Sequence, residues 1–336
     1  MMTSVLNFRY LFTTIFIIIG ASLWLTYPRY YDFNGNIFGT YYKVIVIGPK
    51  YAINKNKIET SIKSRLNHID LLFSTYRPDS EIMTLNRAPL NEKIEVSREV
   101  IELIQLSKSL NIKLDKAWDP TIVPVSKKYG FDTVTGITGS VVGIHHINII
   151  NDEYIVKDAD IALDLSSIAK GYAVDELLKL VKKNRIKGAY IDIGGEIRTA
   201  GSKSDNKKWG IGIQSPVNKS ELIQVLYTND FAIATSGNYL NYTQKGNQVI
   251  GHILDPRSQS PIDHELLSVS IVANECVIAD ALATGIFVMG LKLGVDWLNK
   301  NPQIPALLIY NENEKVEVKM LNGFDRFLDP SKSLSF

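Results

Sequence analysis

Ala189-Tyr190-Ile191-Asp192-Ile193-Gly194-Gly195 reads as a strand stopped by two glycines. It opens a stretch in which strand follows strand. Segments 209–214, 223–228 and 231–235 are each rich in β-branched or aromatic residues, and no helical pattern separates them. A parallel neighbour would need a long crossover, most often a helix, whereas antiparallel strands can follow one another directly. The stretch therefore predicts an α+β chain with substantial, largely antiparallel sheet and packed helices rather than a doubly wound parallel sheet.

Working outward, 267–273 and 305–310 read as later strands, 162–165 as a short one, and 41–47 as an early one stopped by Gly48-Pro49. Apolar residues recur at helical spacing in 57–73 (Ile58, Ile62, Leu66, Ile69, Phe73), 98–110 (Val100, Ile101, Ile104, Leu110) and 167–182 (Ile168, Tyr172, Leu177, Leu180). Helices are also predicted at 279–289 and 294–300, a loop at 136–143 and a linker at 30–36. No internal repeat or low-complexity tract is present.

The N-terminus has its own character. Arg9 precedes an uncharged run from Leu11 to Leu25, and Pro28-Arg29 follows. A spanning helix needs about 20 apolar residues, with roughly 17 as a lower limit. Residues 10–27 just reach it, and no clean small-residue cleavage site interrupts them. The expectation is a signal sequence or membrane anchor over 1–30, with an uncleaved anchor favoured, followed by one catalytic unit over 31–336. Arg9 should hold the N-terminus inside and place the rest outside the cytoplasmic membrane.

Composition narrows the function. With 45% hydrophobic and 21% charged residues, the chain is an ordinary folded protein. Its 37 basic and 35 acidic residues leave a net charge of +2, which gives no reason to expect nucleic acid as a partner. Cys276 is the only cysteine, so no intramolecular disulfide can form, and its apolar setting suggests a small buried hydrophobe. No Gly-x-Gly-x-x-Gly fingerprint and no P-loop occur, which disfavours NAD-binding and P-loop enzymes.

Candidate chemistry lies elsewhere. In a helix, Asp280 and Thr284 stand one turn apart on one face. Carboxylate and hydroxyl oxygens suit a hard cation such as Mg²⁺, which leaves part of its shell to substrate phosphate. The alternative is a solvated face or a local side-chain bond. Ser166-Ser167 looks like an N-cap that offers free N–H groups to an anion, with Lys170 on the first turn adding charge, or simply an ordinary capped helix. Gly194-Gly195 admits a ligand close to the backbone or makes a turn. Of five histidines, His68 lies on a helix surface. His145 and His146 start a strand and point to opposite faces. His252, ahead of Asp255-Pro256, is either a half-buried strand residue or a general base near neutral pH.

Five strings settle these alternatives together. They are Phe73-Ser74-Thr75-Tyr76-Arg77-Pro78-Asp79-Ser80-Glu81-Ile82, Leu163 to Tyr172, Ile191 to Glu196, Ala234-Thr235-Ser236-Gly237-Asn238-Tyr239, and His252-Ile253-Leu254-Asp255-Pro256-Arg257. With Ala279 to Gly285 they resemble, in order, the ApbE family of FAD:protein FMN transferases, over nearly all of the chain after about residue 34. The resemblance implies an ApbE-like, T-fold-related architecture after an N-terminal hydrophobic helix. It implies that FAD and Mg²⁺ bind together, and that FMN moves onto a threonine or serine hydroxyl of another protein as AMP leaves. Carried over, Asp280, Thr284 and Ser167 look like metal ligands. Asp164, Lys170, Tyr76 and Ile253 look like FAD contacts. Ala117-Trp118-Asp119 is similar to the family's Ala-Phe-Asp contact string, and Phe38-Gly39-Thr40 stands where the family has Met-Gly-Thr, so Ala117, Trp118, Asp119 and Phe38 also look like FAD contacts. His252 is similar to the proposed base, and Asp280 is essential to catalysis as the site's carboxylate. The lipid anchor common in the family needs a cysteine that is absent here. The implied partners are acceptor proteins of flavin-dependent electron-transport complexes and the inner membrane. Two further readings share these residues: an FAD pyrophosphatase with water as acceptor, and a membrane-tethered FAD-binding protein without turnover.

Overall fold

The computed structural model describes residues 2–329 other than 132, 133, 135, 138, 204, 205, 219, 238–241, 246 and 247, with backbone only for 2–10, 242–245 and 248–250. Asn238 and Tyr239 of the sequence strings lie outside the described residues, as does the chain beyond 329.

An eight-stranded antiparallel sheet organises the chain. Its strands are β1 (Pro28–Ile37), β2 (Thr40–Pro49), β3 (Gly188–Ile193), β4 (Glu196–Gly201), β5 (Ala232–Gly237), β6 (Leu266–Ala273), β7 (Ala306–Glu312) and β8 (Lys315–Leu321). They lie side by side in chain order, and every neighbouring pair is antiparallel. The helices are α1 (Met2–Thr26), α2 (Lys55–Phe73), α3 (Glu81–Arg87), α4 (Arg98–Lys113), α5 (Val123–Lys128), α6 (Ser166–Lys182) and α7 (Cys276–Lys300). The expected α+β, largely antiparallel architecture with an N-terminal apolar helix is what the structure has.

Two cores flank the sheet. On one face α6 and α7 pack against β3 to β6 and against each other, with α2 beside α6. This face explains why α7 is apolar all round: it is long and apolar enough to cross a membrane, but it is buried on the sheet. On the other face Ile197, Ile233, Val272, Leu307 and Ile309 meet Ile211, Ile213 and Leu226 of the hairpin Trp209–Gln214/Leu222–Thr228, with Phe324 and Phe327 closing the end. Strand alternation decides which residues reach which core.

Several expectations change. The linker expected over 30–36 is most of β1, because ten register pairs with β2 satisfy its backbone. The hairpin turns on Phe38 and Gly39, both at positive φ (53° and 72°), a geometry matched to the strands' twist but uncommon for phenylalanine. The strand expected at 162–165 is not one. The Asn86 side chain takes both backbone groups of Leu163, at 2.9 and 2.8 Å, and stands in for a neighbouring strand. The two helices expected at 279–289 and 294–300 are both present: they share the span α7, and Gly290, with non-helical φ 75° and ψ 179°, separates them where the sequence places the stop. His145 and His146 are not on opposite strand faces. They sit in a 3₁₀ turn with ring centroids 4.1 Å apart.

Candidate active site

The crossing of α6 and α7 builds the site. Gly171 permits it: a Cβ there would lie 2.5 Å from the Cys276 carbonyl oxygen. Asp175, one turn on, accepts from the Cys276 and Val277 N–H groups at 2.9 and 3.0 Å, so a side chain of α6 caps α7. Arg198 balances Asp175 at 2.5 Å.

This crossing fixes Asp280, which is only 4% exposed. Its Oδ2 accepts from the Gly171 N–H at 3.0 Å. Thr284 stands one turn on, as its spacing predicts. Its Oγ1 donates to the Asp280 carbonyl at 3.2 Å and shares a 2.9 Å hydrogen bond with Ser236 Oγ of β5. The local side-chain bond considered from sequence is therefore present, and it still leaves both side chains on one face.

Lys170 and Glu196 complete the cluster. Glu196 begins β4 just after the Gly194-Gly195 turn and is 3% exposed. Lys170 Nζ donates to Glu196 Oε1 at 2.6 Å, while Glu196 Oε2 is buried without a hydrogen-bond partner among the described residues. Burial, then the Glu196 charge, pushes the Asp280 carboxyl well up, and burial pushes Glu196 up against the pull of Lys170. Burial opposes the Lys170 charge, but Glu196 and Asp280 outweigh it and keep the ammonium charged. Two buried carboxylates thus share one ammonium, and the cluster is short of positive charge. Lys170 aside, the side chains gathered here (Asp280, Thr284, Ser236 and Glu196) offer only oxygen, so they fit a hard cation such as Mg²⁺.

The helix start differs from the sequence reading. Leu165 is the N-cap and has no side-chain cap bond; Ser166 and Ser167 are the first helical residues, and Lys170 falls in the second turn. The Asp164 carboxylate accepts from the Ser166 N–H at 2.9 Å, because a residue with helical torsions cannot also supply the extended cap conformation. Ser167 lies one turn before Gly171 on the same face of α6, and its Oγ accepts from Trp118 Nε1 at 3.0 Å.

Of the Ala117-Trp118-Asp119 string, Trp118 reaches the site through Ser167, while Ala117 and Asp119 are buried behind it. Asp119 ties its own loop to α4 and to the 3₁₀ turn: Oδ1 takes the Thr121 N–H and hydroxyl at 2.9 and 2.6 Å, and Oδ2 takes Asn111 Nδ2 of α4 and the Ile144 N–H, both at 3.1 Å. It holds the loop that carries Trp118. Thr40, beside Phe38, sits against Gly194, so the β1–β2 turn borders the Gly194-Gly195 turn. Tyr76, 70% exposed, follows the end of α2. Ile253 packs on the main core, and His252 occupies the bend leading into Leu254–Asp255. Asp255 pairs with Arg257 at 2.7 Å. An open cleft of 340 Å³ lies further along α7, lined by Val288, Met289, Lys292, His264 and Asp255 among others. We weigh the buried cluster above that cleft, because there two buried carboxylates and an ammonium meet at one helix crossing.

The model of the ApbE family matches residues 38–308. The chain belongs to the ApbE family. An FAD:protein FMN transferase of Vibrio cholerae is 30% identical over 307 residues, covering 88% of this chain and 92% of that relative. One of Escherichia coli K12 is 28% identical over 319 residues, covering 89% of each. The solved flavin transferase ApbE of Vibrio cholerae superposes with a TM-score of 0.80 over 90% of this chain and 100% of that one, at 30% identity. The apo flavinyl transferase ApbE of Pseudomonas stutzeri gives 0.81 over 90% and 97%, at 27% identity.

Among the ApbE strings, Ile191 to Glu196 stands out in sequence for its two glycines. Its last residue, Glu196, is what sequence reasoning left without a role. The available signal was a glutamate directly after a two-glycine turn. Its partner Lys170 is 26 residues away, and only packing pairs them.

Proposed function

We propose that this chain transfers FMN from FAD to a hydroxyl of an acceptor protein, as its curated relatives are named for doing. The observation that carries the reading is Asp280, a buried carboxylate clamped to α6 and one turn from Thr284, in a family member that spans almost the full length of those relatives. Mg²⁺ held by Asp280, Thr284 and Ser167 would neutralise the pyrophosphate and stabilise charge on the departing AMP. The acceptor threonine or serine oxygen attacks the phosphorus on the flavin side. The new O–P bond forms as the bond to the AMP phosphate breaks, and AMP leaves with that electron pair. His252 takes the acceptor's proton. Lys170, kept charged by Glu196, adds a fixed positive charge for the phosphates. Trp118 and Asp164 would face the FAD from α6 and the loop before it, with the buried Ala117 and Asp119 supporting Trp118 from behind. Phe38, Tyr76 and Ile253 complete its surroundings. Little more is needed than position and electrostatics.

The acceptors in this reading are proteins of flavin-dependent electron-transport complexes. α1 is a membrane anchor, and the catalytic domain lies on the outer side of the cytoplasmic membrane. Incubation with FAD, Mg²⁺ and a candidate acceptor, followed by in-gel flavin fluorescence after denaturation, tests the activity. Release of AMP with no labelled acceptor would assign a pyrophosphatase instead. A C-terminal reporter active only in the cytoplasm would reverse the topology.

A further inference from the structure

The β1–β2 hairpin spans the molecule from α1 to the active site. At its root Pro28 faces Pro49, and at its tip Ile37 faces Thr40, beside Gly194. Nine steps of about 3.3 Å make this about 30 Å. The root follows directly on α1, whose side chains from Leu11 to Leu25 are exposed.

The root end is chemically distinct. Trp24, near the end of α1, has the Arg29 guanidinium 4.6 Å and the Lys50 ammonium 3.6 Å from its ring centroid. Tyr27, Tyr30 and Tyr51 are exposed around it. Residues 48–58 continue with Lys55 and Lys57 at the start of α2, and contain no carboxylate. Residues 182–187, between α6 and β3, reach the same end: the Lys187 N–H donates to the Ile47 carbonyl at 2.7 Å, and Ile186 lies under Gly48. They bring exposed Lys182, Lys183, Arg185 and Lys187, again with no carboxylate. Glu59, next along α2, faces Lys55 and pairs with Lys63, and Asp230 and Glu275 are exposed acids on the adjoining loops. Each basic stretch is short in sequence, and the fold gathers them.

We propose that this end of the domain docks on an anionic lipid surface. Tyrosine and tryptophan favour the headgroup layer of a membrane, and a Lys or Arg near an anionic surface strengthens contact roughly fivefold each. α1 delivers this end to the bilayer, so the inference rests on the anchor reading given above. The side of the membrane does not enter it. The docked hairpin then holds the Gly194–Glu196 turn about 30 Å from the headgroups, and an acceptor hydroxyl has to be presented at that height.

The full chain, bound to phosphatidylcholine vesicles with and without phosphatidylglycerol, tests this. Cys276 is fully buried, so single surface cysteines can be labelled with an environment-sensitive dye. Dyes at Tyr51→Cys and Lys183→Cys should be quenched by nitroxide-headgroup lipid, more strongly with phosphatidylglycerol; a dye at Asn36→Cys should not. Combining Lys50→Glu, Lys182→Glu and Arg185→Glu should at least halve quenching at position 51. Vesicle flotation and FMN transfer to a soluble acceptor should remain. Flotation with equal or absent quenching at the three positions would overturn the docking and leave the anchor standing; the face would then be open to an acidic protein. Quenching that ignores both phosphatidylglycerol and charge reversal would overturn the electrostatic contact. Failure to float with either vesicle would remove the anchor, and the docking with it.

Discussion

The Gly171 N–H donates to Asp280 Oδ2 at 3.0 Å, across a helix crossing that has no room for a Cβ on residue 171. The close approach and the placement of the carboxylate are one feature. Gly171→Ala must push α6 from the start of α7, because the obstacle is the Cys276 backbone carbonyl and not a side chain that can turn away. Overpacking of this kind costs about 1–3 kcal/mol. Urea unfolding should show that loss, and FMN transfer should fall with it. Wild-type stability and activity would show that the crossing is not tight.

Asp280→Ala removes the carboxylate proposed to hold the metal. Transfer should be lost at any practical Mg²⁺ concentration, while the fold survives because Asp175 still caps α7. Near wild-type acceptor labelling would end the metal assignment.

His252→Ala should slow transfer by about 10²–10⁴, the usual contribution of a positioned general base. FAD affinity should change little. The dissociation constant of FAD and single-turnover flavinylation at saturating FAD separate the two roles. Loss of FAD binding would make His252 a pocket residue. An unchanged rate would move the base elsewhere, with Asp255, now paired to Arg257, the next to test.

Glu99 ties three helices through Arg65 and His68 of α2 and Tyr172 of α6. Burial raises its carboxyl, but Arg65, Tyr172 and His68 outweigh it and hold it at about 2 instead of 4.5. The group binds its proton less readily when folded. Its stabilisation is therefore full above about pH 4.5 and is lost as pH falls toward 2. Glu99→Gln should cost about 1–2 kcal/mol at neutral pH, after allowance for partial exposure. Thermal melts from pH 7 down to pH 2 should show the gap closing. A gap that is constant with pH would mean the charge is not what matters.

Sequence alone determined what depends on near neighbours. Alternation and glycine stops marked the strands from 189 to 273, 3.6-residue spacing marked α2, α4 and α6, and the i,i+4 relation of Asp280 and Thr284 followed from helix geometry. The ordered strings carried the family. Tertiary structure decided what depends on partners far along the chain. β1 reads as a polar linker until β2 pairs with it, and 162–165 reads as a strand until Asn86 takes its backbone bonds. Lys170 is legible in sequence as a charge near a helix start, but Glu196 has no role there until β4 and α6 bring it, buried, against the half-buried Lys170. The basic end exists only because the β1–β2 root, the start of α2 and the end of α6 converge. Local periodicity is imposed by bond geometry within a few residues, whereas charge clusters and helix crossings are set by packing, which a sequence read in windows does not contain.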